Sequence, residues 1–267
     1  MNEEKMKKDC AWDFLIYSYF GIVPESIYND IKKSDSAKEE YRDYCVKMVI
    51  IKAYEDATGQ GAYNALFTQK NLGDKLAGMK DKSKEVKKEA ATYIFKQVKG
   101  LASSNDYDTW HYEVCKELVE KYYIDIKNKD GNFFTYGNAQ KWVNMTMKYL
   151  WLLGWLPDGV KEEKLHIPID SYMIDALWKN KNVDLPLDKG DRSKSYSQPS
   201  DYVLPWSKWD YEKDYKECQD SLNESDFNMQ RENTTWIKQA EIRKEKENKT
   251  KYPKFFVTSS AENNSKE

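Results

Sequence analysis

The chain has 267 residues, 43 basic and 45 acidic, for a formal charge of −2. That balance excludes a globally basic nucleic-acid binder, so any face for DNA has to be local. Four widely spaced cysteines without a CxxC and only two histidines exclude a disulfide scaffold and a histidine-rich metal site.

Eleven glycines and seven prolines are few for this length. Such scarcity favours long helices over many short strands joined by turns, and the expected fold is all-α. The start, MNEEKMKKD, is too polar for a signal peptide. No apolar run nears the roughly 18 residues of a membrane span, so the expectation is a cytoplasmic protein without membrane contact.

In chain order, Cys10 to Phe20 (CAWDFLIYSYF) reads as a buried N-terminal helix that stops before Pro24. Ser36 with Glu39 makes a capping box. The stretch from there to Ala57 places Tyr41, Tyr44, Cys45, Met48, Val49 and Ile51 on or near one helix face. Thr58 to Gly61 breaks it, and a polar loop covers Asn64 to Gly73. From Lys80 to Lys99 a helix carries seven lysines against Asp81, Glu85 and Glu89. Such a run is first a solvated face and only second a set of phosphate contacts.

Asn105 or Asp106 caps the next helix, whose face is Trp110, Val114, Leu118, Val119 and Tyr122. The loop IKNKDGNFFTYG leads to the helix of Lys141, expected to run to about Trp155 before Pro157 and Gly159. A short apolar run closed by Pro168 delivers Asp170, and Ser171 to Trp178 is helical again. Residues 180–200 read as a long surface loop. Helices follow near Lys208 to Leu222 and Asn233 to Lys246, then a polar tail with the composition of a disordered segment. The expected division is a helical body over 1–200 containing the segment 131–178, C-terminal helices over 201–248 packing back on it, and a tail over 249–267.

The chemistry concentrates on Lys141 and Asp170. A lysine in the first turn of a helix meets the positive end of the helix dipole, and a desolvated cleft opposes its charge further, so its amine can release a proton. A neutral amine attacks an electrophilic sugar carbon and forms an imine. A carboxylate from another segment stabilises positive charge on the sugar as a base departs. The helix start at Gly137 and Asn138 exposes backbone N–H groups suited to a phosphate, and Gln140 is assigned with them to the DNA backbone. Amides, amine and carboxylate together describe cleavage of an N-glycosidic bond in DNA. The plainer reading of the same residues is a solvent-exposed lysine and an aspartate that only caps a helix.

The run KWVNMTMK from Lys141 to Lys148, followed by HIPID ending at Asp170, resembles the helix-hairpin-helix DNA glycosylases, most of all their archaeal 8-oxoguanine branch. The resemblance implies a body of two helical lobes with a cleft between them. It makes Lys141 and Asp170 the catalytic pair, with 8-oxoguanine or another modified base as the group removed and strand cleavage at the abasic site as a second step. Glu232 and Trp236 in RENTTWIKQ have the family's acid-to-tryptophan spacing; with Lys148 they are implied to hold the extruded base. The family's LPGVG-type hairpin is replaced by TYGNAQ, and Trp142 follows Lys141 where a small residue is usual. The implied partner is DNA carrying a modified base, with no metal, no cofactor and a monomeric protein, serving repair or defence against modified foreign DNA. The alternative is a non-catalytic helical protein that keeps the fold and binds nucleic acid or another protein.

Overall fold

The computed structural model describes residues 3–32, 38–58, 75–101, 106–126 and 132–251. They form an all-α protein, in which β-structure among the described residues is confined to isolated bridges such as Leu187 with Val203. The helices are α1 (Glu3–Phe20), α2 (Glu25–Lys32), α3 (Lys38–Ala57), α4 (Lys75–Gly100), α5 (Tyr107–Glu117), α6 (Tyr136–Leu152), α7 (Ser171–Leu177), α8 (Lys216–Glu224) and α9 (Met229–Lys251). No described helix is long and apolar enough to cross a membrane.

The structure is built on α6. Thr135 and Asn138 satisfy its first turn reciprocally as a capping box. Every residue from Tyr136 to Leu150 is buried. The helix packs along α3 and against α5. Trp142 lies edge-on to Tyr54 of α3 with ring centroids 4.7 Å apart, and its indole N–H donates to the Ile50 carbonyl at 2.9 Å. A fully buried indole of this kind is worth about 3–5 kcal/mol relative to alanine. Gly154, at φ +69°, ends the helix. Its N–H bonds the Trp151 carbonyl at 3.0 Å and the Trp155 N–H bonds Leu150 at 2.8 Å, the paired bonds of a Schellman stop. The helix therefore ends before Trp155, because the glycine supplies the left-handed residue and the later proline is not needed.

Other expectations are corrected. The helix at the N-terminus is not buried: Trp12, Phe14, Leu15 and Tyr17 are each more than half exposed. Apolar residues run all round α1, while the body, chiefly α3, meets it along one side only. On α3 the buried set is Cys45, Val46, Val49, Ile50, Ala53, Tyr54 and Ala57, with Ile51 facing out. Asp106, not Asn105, caps α5. One wide π turn, Leu118–Tyr122, follows α5 and shifts the helical phase, so Tyr123 is buried instead of Tyr122. The loop after α7 is held by Arg192, which donates to the carbonyls of Leu177, Trp178, Asn180 and Val183. The helix α9 packs along α7 and extends three residues into the segment assigned to the tail. The cap at Ser36, the loop over 64–73, residues 127–131 and the tail beyond Lys251 lie outside the described residues.

Candidate active site

The segment from Leu165 to Asp170 is buried throughout and lies along α6. Two amides on one helical face, Gln140 and Asn144, hold it. Gln140 donates to the Ile169 carbonyl at 3.3 Å and Asn144 to the Ile167 carbonyl at 3.2 Å. From α8, Gln219 bonds the same residue, donating to the Ile167 carbonyl at 2.6 Å and accepting from the Ile167 N–H at 3.2 Å. Ile167 and Ile169 meanwhile fill the core. An extended run held at Ile167 and Ile169 in this way is fixed along α6, and it ends with Asp170 beside Lys141.

The Lys141 ammonium is in direct contact with Asp170 Oδ2, and both side chains are nearly buried. The other Asp170 oxygen accepts from the Met173 N–H at 2.9 Å and so caps α7. Trp236 of α9 donates its indole N–H to Oδ2 at 3.1 Å. Burial alone would raise the Asp170 carboxyl, but Lys141, the Met173 amide and Trp236 outweigh it and hold the group below its ordinary value. Lys148 and Glu232 form a second ion pair at 2.6 Å, with Glu232 1% exposed. There burial wins, and the Glu232 carboxyl is raised in spite of the lysine. The Tyr172 ring lies beside Trp236, centroids 5.2 Å apart.

Lys141, Lys148, Asp170, Tyr172, Glu232 and Trp236 all line one cleft of about 890 Å³. Its floor is α6, one wall is α7 and α9, and the other is α1 with the end of α3. That second wall was not foreseen. Tyr19 and Tyr149 share a hydrogen bond of 2.7 Å between hydroxyls, and both bond the Asp56 carboxylate. Burial drives the Tyr19 hydroxyl up to about 12 and the Tyr149 hydroxyl higher still. Tyr149 had a sequence signal, since 141, 145, 148, 149 and 152 fall on one face of α6 and all line the cleft. Tyr19 and Asp56 had none, because only the packing of α1 on α3 brings them there.

Three assigned positions do not face the cleft. Gly137, Asn138 and Gln140 are buried. The Gly137 N–H already bonds the Trp209 carbonyl at 3.0 Å, Asn138 is used in the capping box, and Gln140 holds the 167–169 segment. A Cβ on Gly137 would sit 1.9 Å from the Trp206 carbonyl oxygen, so the chain over 206–209 covers this helix start and leaves no room for a phosphate. Lys141 also lies in the second turn of α6, since the cap is Thr135. The helix dipole, which acts over the first turn, contributes less there than expected, and Asp170 is the group that meets the amine. Among the described residues no three His, Cys, Asp or Glu side chains converge as a metal set. The chain matches no protein-family model, no curated protein and no solved structure.

Proposed function

We propose that this protein is a DNA glycosylase of helix-hairpin-helix type that removes a modified base through an imine on Lys141. The observation that carries the reading is the contact of Lys141 with Asp170 at the floor of a cleft, with the Trp236 indole on the same carboxylate. An amine and a carboxylate this close supply both a nucleophile and a group that accepts its proton. The cleft between α1 with α3 and α7 with α9 corresponds, on this reading, to the gap between two lobes.

With DNA bound, the ammonium gives up a proton through Asp170 to water, which leaves Asp170 a carboxylate, and the nitrogen attacks the deoxyribose C1′. The C1′–N bond breaks, and its electron pair leaves with the base, which takes up a proton. Asp170 stabilises the positive charge that develops on the sugar meanwhile. Loss of a further proton from nitrogen and opening of the sugar ring leave the imine. A base inside the duplex is out of reach, so it must swing out towards Trp236, over whose ring the Glu232-paired Lys148 ammonium stands 5.9 Å from the centroid. The imine acidifies C2′, and elimination of the 3′ phosphate then cuts the strand.

The test is trapping with borohydride on duplexes carrying 8-oxoguanine and a panel of other modified bases. Wild type should give a covalent adduct, Lys141→Gln none, and Asp170→Asn a slower release of base in a folded protein, since asparagine still caps α7. DNA binding without an adduct on any base would replace this reading with that of a non-catalytic nucleic-acid binder.

A further inference from the structure

On the outer surface of α3 and α4 lies a groove of about 300 Å³ that the proposed chemistry does not use. Its floor is apolar, made by Ile50, Ile51, Ala91 and Phe95. Lys47, Lys84, Lys87 and Lys88 ring it. On α3 the groove is lined by Lys47, Ile50 and Ile51 and the cleft by Glu55 and Asp56, and the two share no lining residue. The proposal below is therefore independent of the glycosylase reading.

The lysines set the charge of the rim. Some exposed lysines of this surface have carboxylate partners, as Lys99 with Glu39 and Asp43, Lys121 with Glu117, and Lys216 with Asp220. None of the four around the groove has a carboxylate within ion-pairing distance among the described residues. Lys47 instead stands over the Phe95 ring and Lys87 over the Tyr54 ring, each 4.7 Å from the centroid. A cation on an aromatic face keeps some electrostatic stabilisation while its charge remains available to an incoming anion. In a chain with two more acids than bases, four lysines around an apolar floor, with no acid among the lining residues, make a local positive ring.

We propose that this groove docks an acidic amphipathic helix of a partner protein. An apolar face with anchors at i, i+3 and i+7 fills the floor, and its flanking Glu and Asp residues meet the four lysines. The lysine stems extend the apolar contact while their heads stay at the rim. A phosphate backbone would satisfy the lysines but has nothing to bury on Ile51, Ala91 and Phe95, so the floor selects a peptide over a nucleic acid.

The test is fluorescence anisotropy of the full chain with a labelled synthetic helix, leucine at the anchor positions and glutamate on the flanks. Saturable binding is expected. Lys84→Glu with Lys88→Glu should weaken it at least tenfold by charge. Ala91→Arg should weaken it as much by filling the floor, although it adds positive charge. Thermal melting shows that both variants fold, and Lys141→Gln should bind the peptide as wild type does. No saturable binding at millimolar peptide overturns the proposal. So does undiminished binding by Ala91→Arg, or equal binding of a scrambled peptide, because either result reduces the contact to unspecific attraction. Displacement of the peptide by unmodified duplex DNA, with DNA binding lost in the double glutamate variant, would assign the groove to nucleic acid.

Discussion

Lys148 and Glu232 are an ion pair that stability alone would not select. Both side chains are almost fully buried, and the raised Glu232 carboxyl means that its desolvation outweighs its attraction to the lysine. Replacing such a pair with apolar residues of similar size is neutral to stabilising, whereas removing one partner strands a buried charge. Lys148→Met with Glu232→Leu is expected to raise unfolding stability by about 1–3 kcal/mol in urea, and Glu232→Leu alone to lower it by about 3–5 kcal/mol. If the pair reads the base, the double variant should still trap on a preformed abasic site but lose excision of the modified base. Asp170 responds to pH in the opposite direction from Glu232. Its folded carboxyl lies below the ordinary value, so its contribution to stability is complete above the unfolded value of about 3.9 and is lost as pH falls through the folded one. The stability difference between wild type and Asp170→Asn should be constant above about pH 5 and close below about pH 4. A difference that grows on acidification would contradict that assignment.

At the scale of the element, the start of α6 decides where Lys141 stands. Gly137 is there because a carbonyl of the 206–209 turn occupies the space of a side chain. Gly137→Ala should cost about 3 kcal/mol and push Trp206 away from Lys141, whose ammonium lies 5.8 Å from that ring. Trp206 makes this visible as a change in tryptophan emission of the folded protein. The same residue shows where sequence reading stops. A helix start with a glycine looks like a free anion site, and nothing local to 135–140 reveals that a segment about 70 residues later seals it. The pairing of Lys141 with Asp170 was more legible, because a short apolar run closed by Pro168 delivers a single acid just before the next helix opens. The exposed N-terminal helix was misread for the converse reason: apolar content reports a tendency to be covered, and only tertiary packing says how much cover exists.

For the whole molecule, the candidate site depends on how α9 is laid on α7. Glu232, Trp236 and Arg243 share one face of α9 at i, i+4 and i+11, so one helix carries two cleft residues and the clamp that seats them. Arg243 bonds Asp175 with two nitrogens at 3.0 and 2.5 Å, the Ser171 carbonyl at 3.0 Å and the Ser200 hydroxyl at 3.2 Å, and stacks over Tyr172. Tyr172 in turn lies against Trp236, which reaches Asp170. Arg243→Met keeps much of the packing but leaves the buried Asp175 carboxylate with only the Ser200 N–H, at 2.7 Å. It should cost about 3 kcal/mol in urea unfolding. It should also lower the yield of trapped adduct on a modified base well below the unfolding temperature, because Trp236 loses its support before the core opens. Trapping on a preformed abasic site, which needs Lys141 and Asp170 but no base pocket, should fall less. Equal loss on both substrates would mean that α9 supports the whole fold and not the pocket alone.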